Sequence, residues 1–375
     1  MQNIVSGRGS LDGERLTGLM AQLQMRRPLL VCSARMQADF SARTGMMLPC
    51  FSGYHANPDL ADAITGVEMY RQHGCDGLIS VGGGSAMDTA KAVKALLLAP
   101  DMEAVKASRL PEDGVLPHIA IPATAGTGAE ATPIAVMYVQ GEKLSLDHPA
   151  LLPEAILLDS TLLNTLPPYH QKACAMDALC QGIESYWAIR TTEESRVHAR
   201  RAIRGVLAHY DAYLSGQPDA ADAMLLAAYE SGCAIRISRT TAAHAMSYQI
   251  TKRIGPAHGH ACMLTLPHLW RQMGDAPVLA ELSDVMGVSP ADAPELLLGL
   301  LAASEMLPEE LPDASTLDAL VASVNVQRLS NHPQKLSQME MREIYTRALT
   351  PVSADERARL VSLWRAYAGE ADCRG

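Results

Sequence analysis

A chain of 375 residues, 48% hydrophobic and 19% charged, is too long for one small core and too apolar for a disordered or fibrous protein, so two globular domains are expected. Its 31 Lys and Arg against 41 Asp and Glu leave a formal charge of −10, with no basic block longer than pairs such as Arg26-Arg27 or Arg200-Arg201. That balance argues against nucleic acid and acidic membranes as partners. The N-terminus has no apolar run of signal-peptide length, and no stretch reaches the roughly 18 uninterrupted apolar residues of a membrane helix, so a cytoplasmic protein is expected. The eight cysteines (32, 50, 75, 174, 180, 233, 262 and 373) form no C-x-x-C pair, which argues against a zinc ribbon or a disulfide framework and reads most of them as small core residues in a reducing compartment.

In chain order, the first half alternates short apolar runs with helical patterns. "PLLVCS" (28–33), a run near Leu48–Phe51, "GLISVG" (77–82), "HIAIPA" (118–123) and "EAILLD" (154–159) have the length and the Gly and Pro flanks of buried strands. Between two of them, "NPDLADAITGVEMYRQHG" reads as a helix capped by Asn57, with Pro58 at its first position and Gly74 as its stop. Strand, helix, strand in repetition implies a doubly wound parallel sheet, a Rossmann-like α/β domain over residues 1–164.

Two loops of that half carry chemistry. After one strand come Gly82-Gly83-Gly84-Ser85 and a good helical sequence; three glycines let the backbone approach a ligand closely and turn helix N-terminal amides towards an anion such as a pyrophosphate. After the next strand, "IPATAGTGAEAT" (121–132) offers Thr124 and Thr127 with Gly126 and Gly128. Two small-residue loops after successive strands meet at the carboxyl edge of a parallel sheet, where ligands bind in this architecture. At the end of the first strand, "LLVCSAR" supplies Ser33 and Arg35 and no carboxylate, which leaves room and charge for the 2′-phosphate of NADP where an acid would select NAD.

"LDSTLLNTLPPYH" (158–170), with paired prolines, is the expected hinge. Beyond it, segments 170–189, 196–214, 219–238 and 293–304 carry i, i+3, i+4 apolar spacing, so residues 165–375 are expected to form a helical domain. "HAMSYQITKRIGPAHGH" (244–260) packs three histidines and a tyrosine into one short span. Asp177 and Gln181 share a helix face at i, i+4, as do His244 and Tyr248. Arg236 and Arg239 precede His244 by one to two turns and Lys252 follows it; such cations suit a substrate with a phosphonate, sulfonate or carboxylate tail.

Taken together, "GGGSAMDTAK", "IPATAGTGAEATPIAV", "LLPEAILLDSTLLNTLP" and "PAHGHACMLTLPH" resemble the iron-containing (group III) alcohol dehydrogenase family, whose fold is shared with glycerol dehydrogenases and dehydroquinate synthases. The resemblance runs from about residue 5 to 350. It implies a nicotinamide-binding α/β domain, a helical domain, and a divalent metal, Fe2+ or Zn2+, between them. Gly83, Gly84, Ser85 and Asp88 match the pyrophosphate and nicotinamide positions, Thr124 and Thr127 the second cofactor loop, and Lys143 a cofactor-facing lysine; Ser33 joins them at the end of the first strand. The metal positions match at Asp177, His244 and His258. The fourth, a histidine in the family, is Gln181, a weaker neutral donor. Tyr248 stands where many members carry a proton-relaying histidine, and a phenol can donate a hydrogen bond but is a poor base near neutrality.

The implied reaction is reversible NAD(P)H-linked reduction of a small aldehyde to a primary alcohol, with Tyr248, Asp177, His244 and His258 as the catalytic set. "DALCQGIESYW", "TTEESR" and "RTTAAHAMSY" are similar to the phosphonoacetaldehyde reductase branch, so phosphonoacetaldehyde or sulfoacetaldehyde is the expected kind of substrate and a homodimer the expected assembly. The competing readings are a dehydroquinate synthase-like lyase and a metal-free nucleotide-binding protein, the latter motivated by Gln181 and Tyr248. His260 and His268 have no such support and read as structural.

Overall fold

The protein is described here by a computed structural model that covers residues 2–56, 58–111 and 116–371. The chain divides into two compact units, Met1–Leu166 and Pro167–Gly375.

Unit 1 contains β1 (Asn3–Ser6), α1 (Gly13–Gln22), β2 (Leu29–Val31), α2 (Ala34–Thr44), β3 (Cys50–Phe51), α3 (Leu60–Gln72), β4 (Leu78–Gly82), α4 (Gly84–Leu98), α5 (Met102–Lys106), β5 (His118–Pro122), β6 (Ile134–Val139), β7 (Glu142–Asp147) and β8 (Ala155–Leu158). Six strands form a parallel sheet in the order β1-β8-β5-β4-β2-β3. Alternate residues feed two cores. Leu30, Cys32, Ile79, Val81, Ile119 and Ile121 pack with Leu16, Leu19 and Phe40 of α1 and α2, while Leu29, Val31, Leu78 and Phe51 pack with Val67, Ala90 and Val93 of α3 and α4. A strand buried on both faces has no polar side to alternate with, which is why these segments read as unbroken apolar runs. Since β3 and β4 lie on opposite sides of β2, the winding reverses there, and the loop after β4 opens at the reversal.

The structure corrects the first unit in three places. Helix α3 begins at Leu60, capped by Asp59 in a reciprocal capping box with Asp62; the box satisfies two amide donors where Pro58 satisfies none. Asn57, like Cys373, lies outside the described residues. Strand β1 was not expected: it is a short, mostly exposed edge beside β8. The antiparallel hairpin β6–β7 was also missed, its reversal made by Gln140 and Gly141 at positive φ.

Unit 2 is helical: α6 (Pro168–Trp187), α7 (Glu193–Leu214), α8 (Pro218–Ser238), α9 (Ala242–Arg253), α10 (His258–Gln272), α11 (Pro277–Met286), α12 (Ala293–Ala303), α13 (Ala314–Ala322), α14 (Val326–Leu329), α15 (Gln338–Leu349) and α16 (Ala354–Ala371). Helix α6 is the axis of this unit. From Ala173 onward nearly every residue is buried, because α7, α8 and α10 pack around it. No described helix is long and apolar enough to cross a membrane.

Candidate metal centre and nucleotide cradle

In a helix buried all round, polar side chains must find partners inside the protein. Asp177, Gln181 and Glu184 stand at i, i+4 and i+7 on α6, all buried. Glu184 reaches the N-terminus of α9: Oε1 accepts from Thr241 N (3.0 Å), Thr241 Oγ1 (2.7 Å) and Ala243 N (2.9 Å), and Oε2 meets His244 Nδ1. Burial pushes this carboxyl up, but His244 and Thr241 outweigh it and hold it below its ordinary value. With Nδ1 engaged, the His244 ring presents Nε2 to Asp177 Oδ1 at 3.4 Å.

His258 opens α10. Its Nδ1 lies 3.2 Å from Ser247 Oγ, its Nε2 lies 3.9 Å from Asp177 Oδ1, and one turn later Cys262 puts Sγ 3.8 Å from that same Nε2. Donor atoms of Asp177, His244, His258 and Cys262 all fall within 4.8 Å of one another. Asp177 and His244 are 4% and 6% exposed as side chains, whereas His258 is 36% exposed, so the cluster meets solvent past His258. Gly259 permits the approach of α10 to α6: a Cβ there would overlap Ala173 O and lie 2.6 Å from Asp177 Cβ.

Gln181 is turned aside. Its Oε1 accepts from Ser231 Oγ at 2.8 Å and its Nε2 faces Asp177 Oδ2 at 3.5 Å. Tyr248 stacks on His258 at 5.5 Å between centroids, 13° from parallel. Arg328 of α14 lies over the Tyr248 ring, 5.0 Å from its centroid, and donates from Nη1 to Tyr248 Oη. Burial raises the phenol's pKa against the lowering effect of Arg328 and His244, so Tyr248 keeps its proton near neutrality. Of the basic residues read from sequence, Arg239 ends α8 at φ 64° and turns Nη1 back to Ile235 O and Arg236 O. Arg236 is half-buried in the last turn of α8, and Lys252 is exposed in the last turn of α9. His260 ties α10 to Met306 O at 2.7 Å and to Tyr169 Oη at 3.2 Å, and His268 is buried.

In unit 1, Gly82 (φ 151°) leaves β4 and Gly83 caps α4. The loop after β5 packs directly on this turn: a Cβ on Gly83 would sit 3.1 Å from Thr124 Cγ2, and one on Gly84 3.3 Å from Thr127 Cγ2. The two loops therefore form one floor of small residues beside the half-buried N-terminus of α4, a cradle that side chains would fill. Ser85 lies in the first turn of α4, where its carbonyl accepts from Thr89 Oγ1. Asp88, one turn further, is raised to about 6 by desolvation, against the pull of Lys91, Val136 N and Lys143; Lys143 thus stands close to it from β7. Ser33 caps α2, its Oγ accepting from Met36 N at 3.3 Å.

Residues 2–160 match the iron-containing alcohol dehydrogenase family and residues 172–349 match the C-terminal region of the Fe-containing alcohol dehydrogenase family. The chain belongs to the iron-containing alcohol dehydrogenase family. Among relatives of this dehydrogenase, a phosphonoacetaldehyde reductase of Streptomyces viridochromogenes is 34% identical over 310 residues, 75% of this chain and 78% of that one. A lactaldehyde reductase of Escherichia coli is 28% identical over 262 residues, 65% of this chain and 66% of that one. The crystal structure of a sulfoacetaldehyde reductase from Bifidobacterium kashiwanohense in complex with NAD+ superposes with a TM-score of 0.86 at 24% identity, covering 94% of this chain and 98% of that one. This dehydrogenase is thus an NAD(P)-dependent enzyme of aldehyde and alcohol interconversion that uses a divalent metal.

The residues present fit such a metal. Asp177 Oδ1 and His244 Nε2 are buried without a hydrogen-bond partner, an expensive arrangement unless something else satisfies them, and a cation among these donors would do so. Reasoning from sequence missed Glu184, Cys262 and Arg328. For Glu184 a signal existed, the i, i+4, i+7 polar stripe it forms with Asp177 and Gln181. Cys262 shares one face with His258 at i, i+4. Arg328 had no signal, since α14 has only four residues.

Proposed function

We propose that this dehydrogenase reduces a small aldehyde carrying an anionic tail, a phosphonate, sulfonate or carboxylate, to the primary alcohol, and that NADPH is the preferred reductant. Residues 1–164 are taken as the nucleotide domain, with Gly83, Gly84, Ser85, Asp88, Thr124, Thr127 and Lys143 lining its cradle. Residues 165–375 are taken as the metal and substrate domain. Asp177, His244 and His258 hold the cation, with Gln181 beside it. When bound, the cation supplies Lewis-acid polarisation of the aldehyde carbonyl and the reduced nicotinamide supplies the hydride. Tyr248 keeps its phenolic proton: Arg328 donates to Oη, which directs the phenol's own hydrogen away from the guanidinium and makes it the group that hands a proton towards the product oxygen or an intervening water.

The observation that carries the substrate class is the position of Arg328. A fixed positive charge lies one aromatic ring away from His258, the exposed side of the metal cluster. An aldehyde whose far end is anionic would be drawn towards that charge, and a guanidinium matches phosphonate, sulfonate and carboxylate geometry. Arg236, Arg239 and Lys252 remain candidates for the outer rim. The phosphonoacetaldehyde reductase among the relatives supports the same class. NADPH is favoured because the end of β2 presents Ser33 and the exposed Arg35 and no carboxylate.

The test is oxidation of NADPH and NADH by the purified, metal-loaded enzyme with phosphonoacetaldehyde, sulfoacetaldehyde and propanal. Because Arg328 also orients Tyr248, Arg328→Ala should lower turnover on every aldehyde, propanal included, and a further fall of roughly tenfold to a hundredfold in kcat/KM for the charged aldehydes relative to propanal matches the loss of one charged hydrogen bond of about 1.5–3 kcal/mol. A fall by the same factor on propanal and on the charged aldehydes, leaving the preference unchanged, would remove the anionic-tail reading, and no net cofactor oxidation with any aldehyde would remove the reductase reading.

A further inference from the structure

We infer that Cys262 is the fourth protein ligand of the metal, taking the place that Gln181 leaves vacant. The inference rests on the reading that the Asp177 cluster holds a divalent cation. A ligand must present a lone pair into the cluster, and Gln181 does not: its carbonyl oxygen is held by Ser231 Oγ at 2.8 Å. Its amide nitrogen faces Asp177 Oδ2 at 3.5 Å, an orientation that leaves Oδ1 to the cluster. Turning the amide round would set Oε1 against Oδ2, two acceptors with no proton between them.

Cys262 does present one. It lies on the same face of α10 as His258, fully buried, with Sγ 3.8 Å from His258 Nε2 and within 4.8 Å of the Asp177 and His244 donor atoms. Tetrahedral coordination with nitrogen and oxygen at about 2.0–2.1 Å and sulfur at about 2.3 Å sets donor atoms apart by about 3.3 Å for N and O and about 3.6 Å for N and S. The separations here, 3.4 and 3.9 Å for the two imidazole nitrogens from Asp177 Oδ1 and 3.8 Å for the sulfur, need only small adjustments to meet those edges. Two of these same donors, Asp177 Oδ1 and His244 Nε2, are buried with no hydrogen-bond partner. The thiol itself is fully enclosed.

The charge balance changes with this ligand set. A carboxylate and a thiolate together cancel a dication, whereas a carboxylate with three neutral imidazoles leaves one positive charge. The positive potential for an anionic substrate then has to come from elsewhere, and Arg328 is the cation placed to supply it. A soft sulfur donor also favours zinc or iron(II) over magnesium or manganese.

Cobalt(II) reports thiolate ligation directly. The full-length protein is stripped of metal, reconstituted with cobalt alone and scanned through the visible and near ultraviolet, alongside Cys262→Ser and a neighbouring-cysteine control, Cys180→Ala. The expected result is a sulfur-to-cobalt charge-transfer band in wild type and in Cys180→Ala. In Cys262→Ser that band is lost, the visible ligand-field bands remain, and cobalt binds at least tenfold more weakly. X-ray absorption of the zinc-loaded wild type, which needs no variant to fold, should contain one sulfur scatterer at about 2.3 Å. Ligand-field bands with no charge-transfer band in wild type, or a band that survives Cys262→Ser, would overturn the thiolate while leaving the metal site intact. Failure of the wild type to bind cobalt at all would overturn the metal reading and this inference with it.

Discussion

Glu184 and His244 form a buried pair in which one carboxylate both caps helix α9, through Thr241 and Ala243, and fixes the imidazole by its Nδ1. The histidine's orientation is therefore tied to the start of its own helix. Removing the charge but not the shape, in Glu184→Gln, should weaken metal binding by roughly tenfold to a hundredfold, as loss of a supporting partner does at other metal sites. Competition against a chelator of known affinity measures this, and unchanged affinity would show that packing alone holds the ring.

The fit of α10 on α6 depends on a residue without a side chain. A Cβ at position 259 would overlap Ala173 O and crowd Asp177 N at 2.8 Å, and backbone atoms cannot swing aside as a flexible side chain can. Gly259→Ala should cost about 1–3 kcal/mol or more by overpacking and should also reduce metal occupancy, because His258 and Asp177 are the residues forced apart. Thermal unfolding and metal content, measured on the same sample, check both effects. A variant with wild-type Tm and full metal would contradict the close approach described here.

The proposed function gives nucleotide and metal to residues of different compact units. Asp177→Ala should therefore abolish aldehyde reduction while leaving NAD(P)H binding, followed by quenching of protein fluorescence or by calorimetry, within about twofold of wild type. Gly82→Ala should do the reverse, since its φ of 151° and its 2.9 Å approach to Ala86 Cβ make a side chain both strained and crowded. Its cofactor KM should rise while metal content stays at the wild-type level.

How far these features could be read in advance follows from their physics. Strands β2, β4, β5 and β8 were legible because both their faces are buried, whereas β1 is an exposed edge and β6–β7 alternates half-polar positions around a Gln-Gly reversal. Asp177, His244 and His258 were grouped in advance only through the family resemblance, since a single histidine in a helix more often marks packing than ligation; the structure brings their donor atoms within 4.8 Å of one another. Glu184 was not legible, since an acid within a helix ordinarily marks a solvated face, and only the packing of α7, α8 and α10 around α6 makes it internal. Cys262 passed for core because a thiol packs as a small apolar group. It becomes chemically distinct only when two imidazoles and a carboxylate close on it.

Three buried histidines away from the cluster make the fold acid-sensitive. Burial holds His118 well below its ordinary value. It takes His332 down to about 4 and, with Arg271 and Arg347 nearby, brings His268 to about 4 as well. In the unfolded chain each takes up a proton near pH 6.5, whereas the folded protein refuses it until far lower pH. Between these values the unfolded state binds more protons, so stability falls as pH falls, by up to about 1.4 kcal/mol per pH unit for each histidine. Urea midpoints measured from pH 7.5 to 5 should decline below about 6.5, and His268→Gln should flatten that decline by close to one proton. If instead stability is level across this range, or if His268→Gln leaves its slope unchanged, these histidines accept protons in the folded state and their enclosure is looser than described.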